Sequence, residues 1–423
     1  MQTRATATSA RGLLDVVLAD LTRHGIEHAV IRPPGRDGSG VLEVDLLVGP
    51  GSLAATEALL AEDGFARRRS WGRRPHRFHL KPVTGGEELD WLKVDLVTDL
   101  CFGRWHELPT RAADRCLAHP DRPDRDHLAP ADELLALVGH ALLDGRGLTP
   151  EIQARLRVLA RRDPGPGALA AQLVPGGGGV PSWEHLVAAI QAEDWATVER
   201  AAPVLRKRVT DSRLAVFRRR TASRVARRST KVLTAVRARG VVVALVGPDG
   251  TGKSTLAGAV SRSVAVPARV LYGGTYRSGI RRRKVPGMTT VGVAARLLVT
   301  RAEVEWHRLR GRLVILDRHP VEARPQPSDL MPIRTRIRRS FIAATLRKPD
   351  LLIALDAPAP LLHDRRPEHG LQSLDRDRCR HLVLVAQTRG SQLIDATASA
   401  DEVRDEAVEL VWAQLVGPVG EAA

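Results

Sequence analysis

The sequence of 423 residues predicts an α/β protein with a small mixed-sheet domain, a helical connector and a larger parallel-sheet domain. Strand-like and helical patterns alternate from residue 12 to about residue 100. Helical patterns then dominate to residue 239, and a regular α/β alternation runs from residue 240 to 415. The chain exceeds the length of one ordinary core. We therefore expect three segments, residues 1–105, 106–239 and 240–423.

The N-terminal segment contains a helical stretch followed by short apolar runs. Periodicity predicts a helix over residues 13–21 and strands over 29–32 and 41–48. The runs 77–83 and 89–97 flank residues 84–87, whose two glycines are typical of a hairpin turn. This segment is therefore predicted to form a small α/β domain with a mixed sheet.

The connector combines helical patterns, chain breakers and a run of positive charge. Residues 131–161 are predicted to be helical, and the Gly- and Pro-rich stretches 163–167 and 176–179 are expected to stop any regular element between them. Residues 206–239 hold 13 Lys or Arg against one acid, Asp211, so they contribute +12 of the net charge of +17. The basic character is therefore a local feature and not a property of every segment.

A glycine-rich motif opens the C-terminal segment. Residues 241–246 form a continuous apolar run typical of a buried parallel strand. Gly247, Gly252, Lys253 and Ser254 then fit the spacing G-x-x-x-x-G-K-[ST], in which backbone N–H groups and a helix N-terminus surround phosphate oxygens. The motif predicts binding of ATP with Mg²⁺, with Lys253 on the phosphates and Ser254 on the metal. The predicted ATP-binding residues are Gly247, Asp249, Gly250, Thr251, Gly252, Lys253, Ser254 and Thr255.

Two later strand-like runs end in residues suited to phosphoryl transfer. Residues 313–316 precede Asp317 and Arg318, so these side chains are expected at the carboxyl end of a strand, where open α/β sheets bind ligands. Aspartate suits Mg²⁺ and arginine suits a phosphate. Residues 351–355 end in Asp356, which either takes part in the site or caps the next helix.

Arginines after residue 358 are expected to close over a triphosphate and neutralise its charge, with Arg366 among the catalytic residues. A solvated helix face is the alternative. The arginines in this stretch are Arg365, Arg366, Arg376, Arg378 and Arg380.

Residues 247–255, 317–319 and 348–357 together resemble the thymidylate kinase family of nucleoside monophosphate kinases. The resemblance covers about residues 240–415 and implies an ATP-dependent phosphotransferase. It places Asp249 against the acceptor's sugar and Asp317 and Arg318 beside the acceptor's phosphate. It also implies an arginine-bearing lid over ATP.

The chain departs from that family at the acceptor side. The family's Arg-Glu-Pro motif is replaced by Tyr272 and residues 273–284, and the usual Asp-Arg-Tyr ends in His319. Aromatic residues make up only 3% of the chain, so a ring that would stack on a base is not evident. The missing Arg-Glu-Pro motif favours an alternative, a regulatory ATPase switch, whereas the Asp317–Arg318 pair favours a kinase.

Carboxylates in the N-terminal segment form a second candidate site. Glu43 and Asp45 lie on one face of a predicted strand because side chains alternate with period two, and Asp95 lies on a later strand. Three such carboxylates can hold two Mg²⁺ ions for phosphoryl or nucleotidyl transfer. The pattern resembles the nucleotidyltransferase fold over about residues 12–105. A degenerate domain that binds a nucleotide or a partner is the competing interpretation.

Partners and location follow from composition. Residues 206–239 predict an amphipathic, arginine-rich helix that either contacts an anionic membrane surface or nucleic acid, or packs as a solvated helix. The three cysteines lie far apart, the N-terminus does not have the residue order of a signal peptide, and no long apolar run is present. These features favour a cytoplasmic protein. A homodimer is a further expectation.

Overall fold

A computed structural model describes residues 9–38, 40–68, 76–84, 89–162, 165–174, 182–210, 212–224, 240–274, 288–326 and 330–416. The chain divides into two compact units. The first comprises Met1–Gly86 with Asp90–Lys231, and the second comprises Glu87–Leu89 with Val232–Ala423. Each unit has its own hydrophobic core.

The first unit contains a mixed sheet of six short strands. Its strands are β1 (His28–Val30), β2 (Gly35–Arg36), β3 (Leu42–Val48), β4 (Ala66–Arg68), β5 (Arg77–Val83) and β6 (Asp90–Val97). The order is β1-β3-β6-β5-β4, with β2 paired to β3. β3 and β6 are parallel, and the other pairs are antiparallel. The predicted pairing of β5 with β6 as a hairpin is therefore confirmed.

The two faces of this sheet carry different side chains. On β3, Val44 and Leu46 pack into one core with the helices Ala10–Arg23 and Leu53–Glu62. Since side chains alternate along a strand, Glu43, Asp45 and Leu47 lie on the opposite face. The parallel register sets Asp45 directly beside Asp95 of β6.

Helices following the sheet cover its second face. Leu47 and Val97 share a hydrophobic core with Leu134, Leu159 and other helical residues, so the sheet and these helices form one unit. A short two-stranded sheet of β7 (Cys101–Phe102) and β8 (Leu108–Pro109) joins them. The helices are Ala113–Leu117, Pro130–Leu143, Pro150–Ala160, Ala168–Leu173, Trp183–Gln191, Trp195–Arg200 and Ala202–Val209, and residues 213–224 are also helical.

The expectation that no regular element lies between the two Gly- and Pro-rich stretches is wrong. The helix Ala168–Leu173 forms there and buries Leu169 and Leu173 in the core. Its start is held by Asp132, whose Oδ1 accepts a hydrogen bond of 2.7 Å from the N–H of Leu169. A Cβ on Gly167 would lie 2.5 Å from that oxygen, so the glycine permits the approach instead of ending the structure.

The second unit is a five-stranded parallel sheet with helices around it. Its strands are β9 (Val242–Val246), β10 (Ala268–Tyr272), β11 (Leu313–Asp317), β12 (Leu351–Asp356) and β13 (Ser391–Asp395), in the order β10-β11-β9-β12-β13. β9 lies at the centre and is fully buried. The strands predicted over 241–246, 313–316 and 351–355 are thus confirmed, and they are neighbours. Their carboxyl ends meet at one edge of the sheet.

Six helices of the described chain belong to this unit: Lys253–Ser263, Met288–Leu309, Ile333–Thr345, Ala359–Arg365, Leu371–Gln387 and Ala400–Val416. The longest of them, Met288–Leu309, has 22 residues. Among the described helices of the whole chain, none combines the length and the apolar run that crossing a bilayer requires.

Candidate active site

The predicted phosphate-binding loop joins β9 to the helix Lys253–Ser263 and turns on glycines. Gly247, Gly250 and Gly252 have φ angles of 144°, 93° and 88°. Residues with a side chain disfavour this region. A Cβ on Gly247 would lie 2.5 Å from the carbonyl oxygen of Leu355 on β12. The loop can therefore follow this path only with glycine at position 247.

The loop lysine is buried against its own loop. Lys253 is 5% exposed, and its Nζ donates a hydrogen bond of 2.6 Å to the carbonyl oxygen of Pro248. Burial, and then repulsion from Arg318, lowers the pKa of Lys253 to about 8. Thr251 is also buried and donates to Pro248, whereas Thr255 is exposed on the first helical turn. The Lys253 ammonium thus bonds to a neutral carbonyl oxygen, which is a weak acceptor. A phosphate oxygen would be a stronger acceptor and would replace it.

Ser254 and Asp317 meet as the metal prediction requires. The Ser254 Oγ donates a hydrogen bond of 2.6 Å to Oδ2 of Asp317, because β11 lies beside β9 and ends level with the loop. The second carboxylate oxygen, Asp317 Oδ1, is buried without a hydrogen-bond partner. A buried oxygen of this kind needs a partner. Since Mg²⁺ takes oxygen ligands, the two side chains present fit this ion.

Arg318 binds the carboxylate of the loop. Its guanidinium donates to Asp249 Oδ1, and a second nitrogen lies 3.8 Å from Oε2 of Glu322. Burial raises the pKa of Asp249, but attraction to Arg318 and Lys253 outweighs it, so the pKa of Asp249 is lowered. Arg318 has a φ of 70°, a conformation that costs energy for a non-glycine residue. The residue is thus held beside the loop at the expense of backbone strain, which is typical of functional sites.

Glu322 is a site residue that the sequence did not reveal. Its Oε1 accepts a hydrogen bond of 3.4 Å from the N–H of Gly247 and lies 3.1 Å from Nε2 of His381. It also faces Arg318. Glu322 lies in the turn Pro320–Ala323 and His381 in the helix Leu371–Gln387, so only the fold brings them together. No spacing rule in the sequence marks this contact.

The predicted lid arginines divide into two groups. Arg365 lies 3.5 Å from the carbonyl oxygen of Gly250, and a Cβ on Gly250 would lie 3.4 Å from Cγ of Arg366, so both are beside the loop. Arg366 is mostly exposed and pairs with Glu368 at 3.2 Å. Arg376, Arg378 and Arg380 instead lie on the helix Leu371–Gln387.

Asp356 does not cap the next helix, and its carboxylate is already paired with an arginine. Arg378 donates two hydrogen bonds to it, of 2.7 and 2.9 Å. The helix Ala359–Arg365 begins after Pro358 without a side-chain cap. Asp356 therefore ties the helix that carries Arg378 to the end of β12.

A further arginine, Arg296, lies near the end of β10. Arg296, on the helix Met288–Leu309, donates a hydrogen bond of 2.5 Å to the carbonyl oxygen of Gly274, and its guanidinium lies 5.8 Å from the ring centroid of Tyr272. A Cβ on Gly273 would lie 2.4 Å from the carbonyl oxygen of Arg318, so this segment approaches the site closely. Residues 275–287, the rest of the segment that departs from the family, lie outside the described residues.

The three predicted carboxylates of the first unit come together. Glu43, Asp45 and Asp95 each offer an oxygen within 4.8 Å of the others. The buried Oδ1 of Asp95 has no hydrogen-bond partner. Burial raises the pKa of Asp95, and His76, whose Nδ1 lies 2.8 Å from Oδ2, only partly offsets this rise. The oxygen donors fit a divalent cation.

Each of these carboxylates already has a basic neighbour. Arg32 donates to Asp45, and Lys93 donates to Glu43 at 2.8 Å. A cation at this site would compete with these bases and with the histidine on Asp95. Each carboxylate of the cluster is therefore paired with a basic side chain in this structure.

The basic segment is described only in part. The helix Ala202–Val209 buries Leu205 and Val209 in the core of the first unit, while Phe217 is exposed within the helical residues 213–224. Arg224 lies over the ring of Trp105, 5.5 Å from its centroid. Residues 211 and 225–239 lie outside the described residues. Contact of this segment with a membrane surface or nucleic acid stays a prediction.

The parallel sheet, the glycine loop and the paired Ser254 and Asp317 beside that loop define the second unit as an α/β nucleotide-binding domain. The predicted fold class is thus confirmed.

The chain is 29% identical over 195 residues to a thymidylate kinase of Xanthomonas euvesicatoria pv. vesicatoria, covering 42% of this chain and 85% of that protein. It is 28% identical over 196 residues to a thymidylate kinase of Xylella fastidiosa, covering 42% and 88% respectively.

A solved thymidylate kinase from Candida albicans is 16% identical, with a TM-score of 0.33, and the match covers 41% of this chain and 91% of that chain. No protein-family profile matches the chain. The two bacterial sequence matches make part of the chain homologous to thymidylate kinases, which supports a nucleotide kinase-like phosphotransferase.

Proposed function

We propose that the protein transfers the γ-phosphate of ATP to a nucleoside monophosphate or a related small phosphorylated acceptor. The observation that carries this proposal is the pairing of Ser254 with Asp317 beside the loop, where Asp317 keeps one buried oxygen free. The homology of part of the chain to thymidylate kinases supports it.

In the proposed reaction an acceptor phosphate oxygen attacks the γ-phosphorus, the bond to the β,γ-bridging oxygen breaks, and ADP leaves. The loop and Lys253 hold the triphosphate, and Lys253 exchanges its bond to Pro248 for phosphate oxygens. Ser254 and Asp317 would hold Mg²⁺, which neutralises charge on the β- and γ-phosphate oxygens. Catalysis then rests on alignment and charge neutralisation, without a covalent intermediate.

Two arginines lie at the proposed acceptor side. Arg318 and Arg296 approach the ends of β11 and β10, which are adjacent strands. Two guanidinium groups at neighbouring strand ends suit a phosphorylated acceptor, because arginine binds phosphate through paired donors. Asp249 and Glu322 hold Arg318 in place before the acceptor arrives.

Incubating the full chain with γ-labelled ATP, Mg²⁺ and a panel of nucleoside monophosphates tests the proposal. Label is expected in one or more nucleoside diphosphates, and Lys253→Ala abolishes the transfer. Arg389→Ala, at an exposed basic residue of the same unit outside the kinase-like motifs, is the matched control and keeps it. Label found only in free phosphate would contradict the kinase and support the regulatory ATPase.

The carboxylate cluster of the first unit favours a second candidate function, nucleotidyl transfer. The supporting observation is the approach of three carboxylates within 4.8 Å. In that case an oxygen nucleophile of an acceptor attacks the α-phosphorus of a nucleoside triphosphate, the bond to the α,β-bridging oxygen breaks, and the nucleotidyl group passes to the acceptor while pyrophosphate leaves. Asp45→Asn removes this activity, while Lys253→Ala leaves it. Asp15→Asn, at an exposed aspartate of the same unit, is the control. Pyrophosphate release that survives Asp45→Asn, or that never occurs, removes this candidate.

A further inference from the structure

Two basic side chains lie directly on the carboxylate cluster of the first unit. Arg32 donates to Asp45, and the Nζ of Lys93 donates a hydrogen bond of 2.8 Å to Glu43. The parallel register of β3 and β6 sets Glu43 level with Lys93, so this ion pair is built into the sheet. Both cations thus contact carboxylates that a divalent cation would use as ligands.

Both cations remain accessible from solvent. The side chain of Arg32 is 34% exposed and that of Lys93 is 21% exposed. The Nζ of Lys93 also lies 4.7 Å from the ring centroid of Phe78 on the neighbouring strand β5. An aromatic face attracts an ammonium whether or not a carboxylate is beside it. Lys93 can therefore give up Glu43 for another anion and keep its contact with Phe78.

Neither a metal ion nor a polyphosphate suits this cluster alone. A divalent cation would have to displace Arg32 and Lys93 from their carboxylates, and these two cations would then face a further positive charge. A polyphosphate alone would meet the opposite conflict, because it would take the two cations while the carboxylates beside them repel it.

A divalent cation and a polyphosphate that bind together remove both conflicts. The carboxylates then hold the metal, while Arg32 and Lys93 exchange carboxylate oxygens for phosphate oxygens, which arginine binds through paired donors. The buried Oδ1 of Asp95, which has no hydrogen-bond partner, also gains a positive charge nearby. The pairing of each carboxylate with a base therefore favours the metal–polyphosphate complex over either ligand alone.

We propose that Arg32 and Lys93 bind the polyphosphate of a nucleoside triphosphate in the first unit, and that they leave their carboxylates only when a divalent cation binds with it. The proposal rests on the site of the second candidate function but not on its turnover, because a domain that only binds a nucleotide would use the same exchange. Metal and nucleotide are then mutually dependent ligands, and each raises the affinity for the other by the same factor.

Binding of a nucleoside triphosphate analogue with a methylene group at the α,β-bridge tests the exchange without turnover. The full chain carries Lys253→Ala and Asp317→Asn, which disable the phosphate-binding loop of the second unit. Fluorescence anisotropy measures a labelled analogue in Mn²⁺ and in EDTA, and titration calorimetry measures Mn²⁺ alone. The analogue is expected to bind at least about tenfold more tightly in Mn²⁺ than in EDTA. Adding Asp45→Asn to this background removes the difference.

Lys93→Gln is expected to change two affinities in opposite directions. Without the ammonium, Glu43 has no competing cation, so Mn²⁺ alone binds about fivefold more tightly. The analogue in Mn²⁺ binds about tenfold less tightly, because one charge-assisted contact with phosphate is lost. Arg32→Gln is expected to give the same pair of changes. A substitution that merely loosened the fold would weaken both kinds of binding.

Lys81→Gln is the matched control. The Nζ of Lys81 also lies near an aromatic ring, 5.8 Å from the centroid of Phe65. Lys81 lies on β5 level with Leu92, which like Phe65 belongs to the core on the opposite face of the sheet. Both affinities are expected to stay at the values of the background, and the melting temperature of each variant verifies that it is folded.

Other results assign the cluster differently. Equal binding of the analogue in Mn²⁺ and in EDTA would overturn the exchange, and so would a Lys93→Gln variant that leaves both affinities unchanged or weakens both. The ion pairs would then be a permanent part of the fold. Failure of the second candidate function is separate, because mutually dependent binding without pyrophosphate release removes nucleotidyl transfer and supports the exchange.

Discussion

The two carboxylate oxygens of Asp317 have different surroundings, and the difference assigns their roles. Oδ2 accepts the Ser254 hydroxyl, while Oδ1 is buried without a partner. An unpaired buried oxygen lowers stability unless a ligand reaches it. A similar unpaired oxygen occurs on Asp95 in the first unit. At the scale of single residues, each candidate metal site thus contains one buried carboxylate oxygen without a hydrogen-bond partner.

Replacing Asp317 with Asn separates metal binding from nucleotide binding. The amide keeps the size of the side chain but loses the charge that attracts Mg²⁺, so ATP affinity is expected to fall about 10- to 100-fold in Mg²⁺ and to change little in EDTA. Titration calorimetry under both conditions measures the difference. Asp395→Asn, at the exposed end of β13, is the matched control. An equal loss with and without Mg²⁺ would contradict a metal role for Asp317.

A buried histidine predicts how acid affects the first unit. Burial lowers the pKa of His79 from 6.5 to about 4. The folded state therefore disfavours the charged form, and the stability present above pH 6.5 is lost as the pH falls toward 4. The expected loss is about 3 kcal/mol, at roughly 1.4 kcal/mol for each pKa unit.

Hydrogen exchange of the amides in β5 and β6, followed from pH 7 to pH 4, measures this loss. His79→Gln is expected to flatten the pH dependence relative to the native chain, while His185→Gln, at an exposed histidine, leaves it intact. Identical slopes for the native chain and His79→Gln would show that other groups set the acid sensitivity.

At the scale of elements, the helix Leu371–Gln387 is tied to the end of β12 and to the turn Pro320–Ala323. Arg378 binds Asp356 at the end of β12, and His381 reaches Glu322 near the loop. Of the lid arginines, Arg365 and Arg366 thus lie beside the loop, whereas Arg378 already has a carboxylate partner. The position of each arginine in the fold, rather than its presence in a basic stretch, decides which can reach a triphosphate.

Arg366→Ala is expected to lower the turnover of phosphoryl transfer roughly 100-fold, since one preorganised charge is lost from the transition state. The affinity for ATP in the absence of acceptor is expected to change less, because the effect falls on the transition state. Arg376→Ala, in the exposed part of the helix Leu371–Gln387, serves as the control and retains most of the activity. Steady-state kinetics decide this, and equal effects of the two variants would count against a lid role for Arg366.

The sequence predicted those features that local patterns encode. The apolar run before Gly247 and the loop spacing predicted β9, the loop and Lys253, because strand and motif are contiguous in the chain. Glu322 and Arg296 were missed, since each joins the site only through long-range packing. The helix Ala168–Leu173 was missed because Gly167 suggested a break, whereas a buried Asp132 uses that glycine to start a helix.

At the scale of the whole molecule, the two units differ in which segments of the chain form their hydrophobic cores. The core of the second unit forms between its own strands and helices. The sheet of the first unit has one face covered by Ala10–Arg23 and Leu53–Glu62, but Leu47 and Val97 on its other face pack against helices after residue 109. The sheet and the helical residues to Val209 thus depend on one another.

This dependence predicts the behaviour of fragments cut at the two boundaries. A fragment of residues 1–105 would expose Leu47, Val97 and Phe102, which are buried in the full chain, and is expected to aggregate or to lack cooperative unfolding. A fragment of residues 1–231 keeps the helices and is expected to unfold cooperatively. Dispersion of amide NMR signals and thermal melts of both fragments measure this. A monomeric, cooperatively folded 1–105 fragment would show that the sheet is stable alone and that the helices are an appended layer.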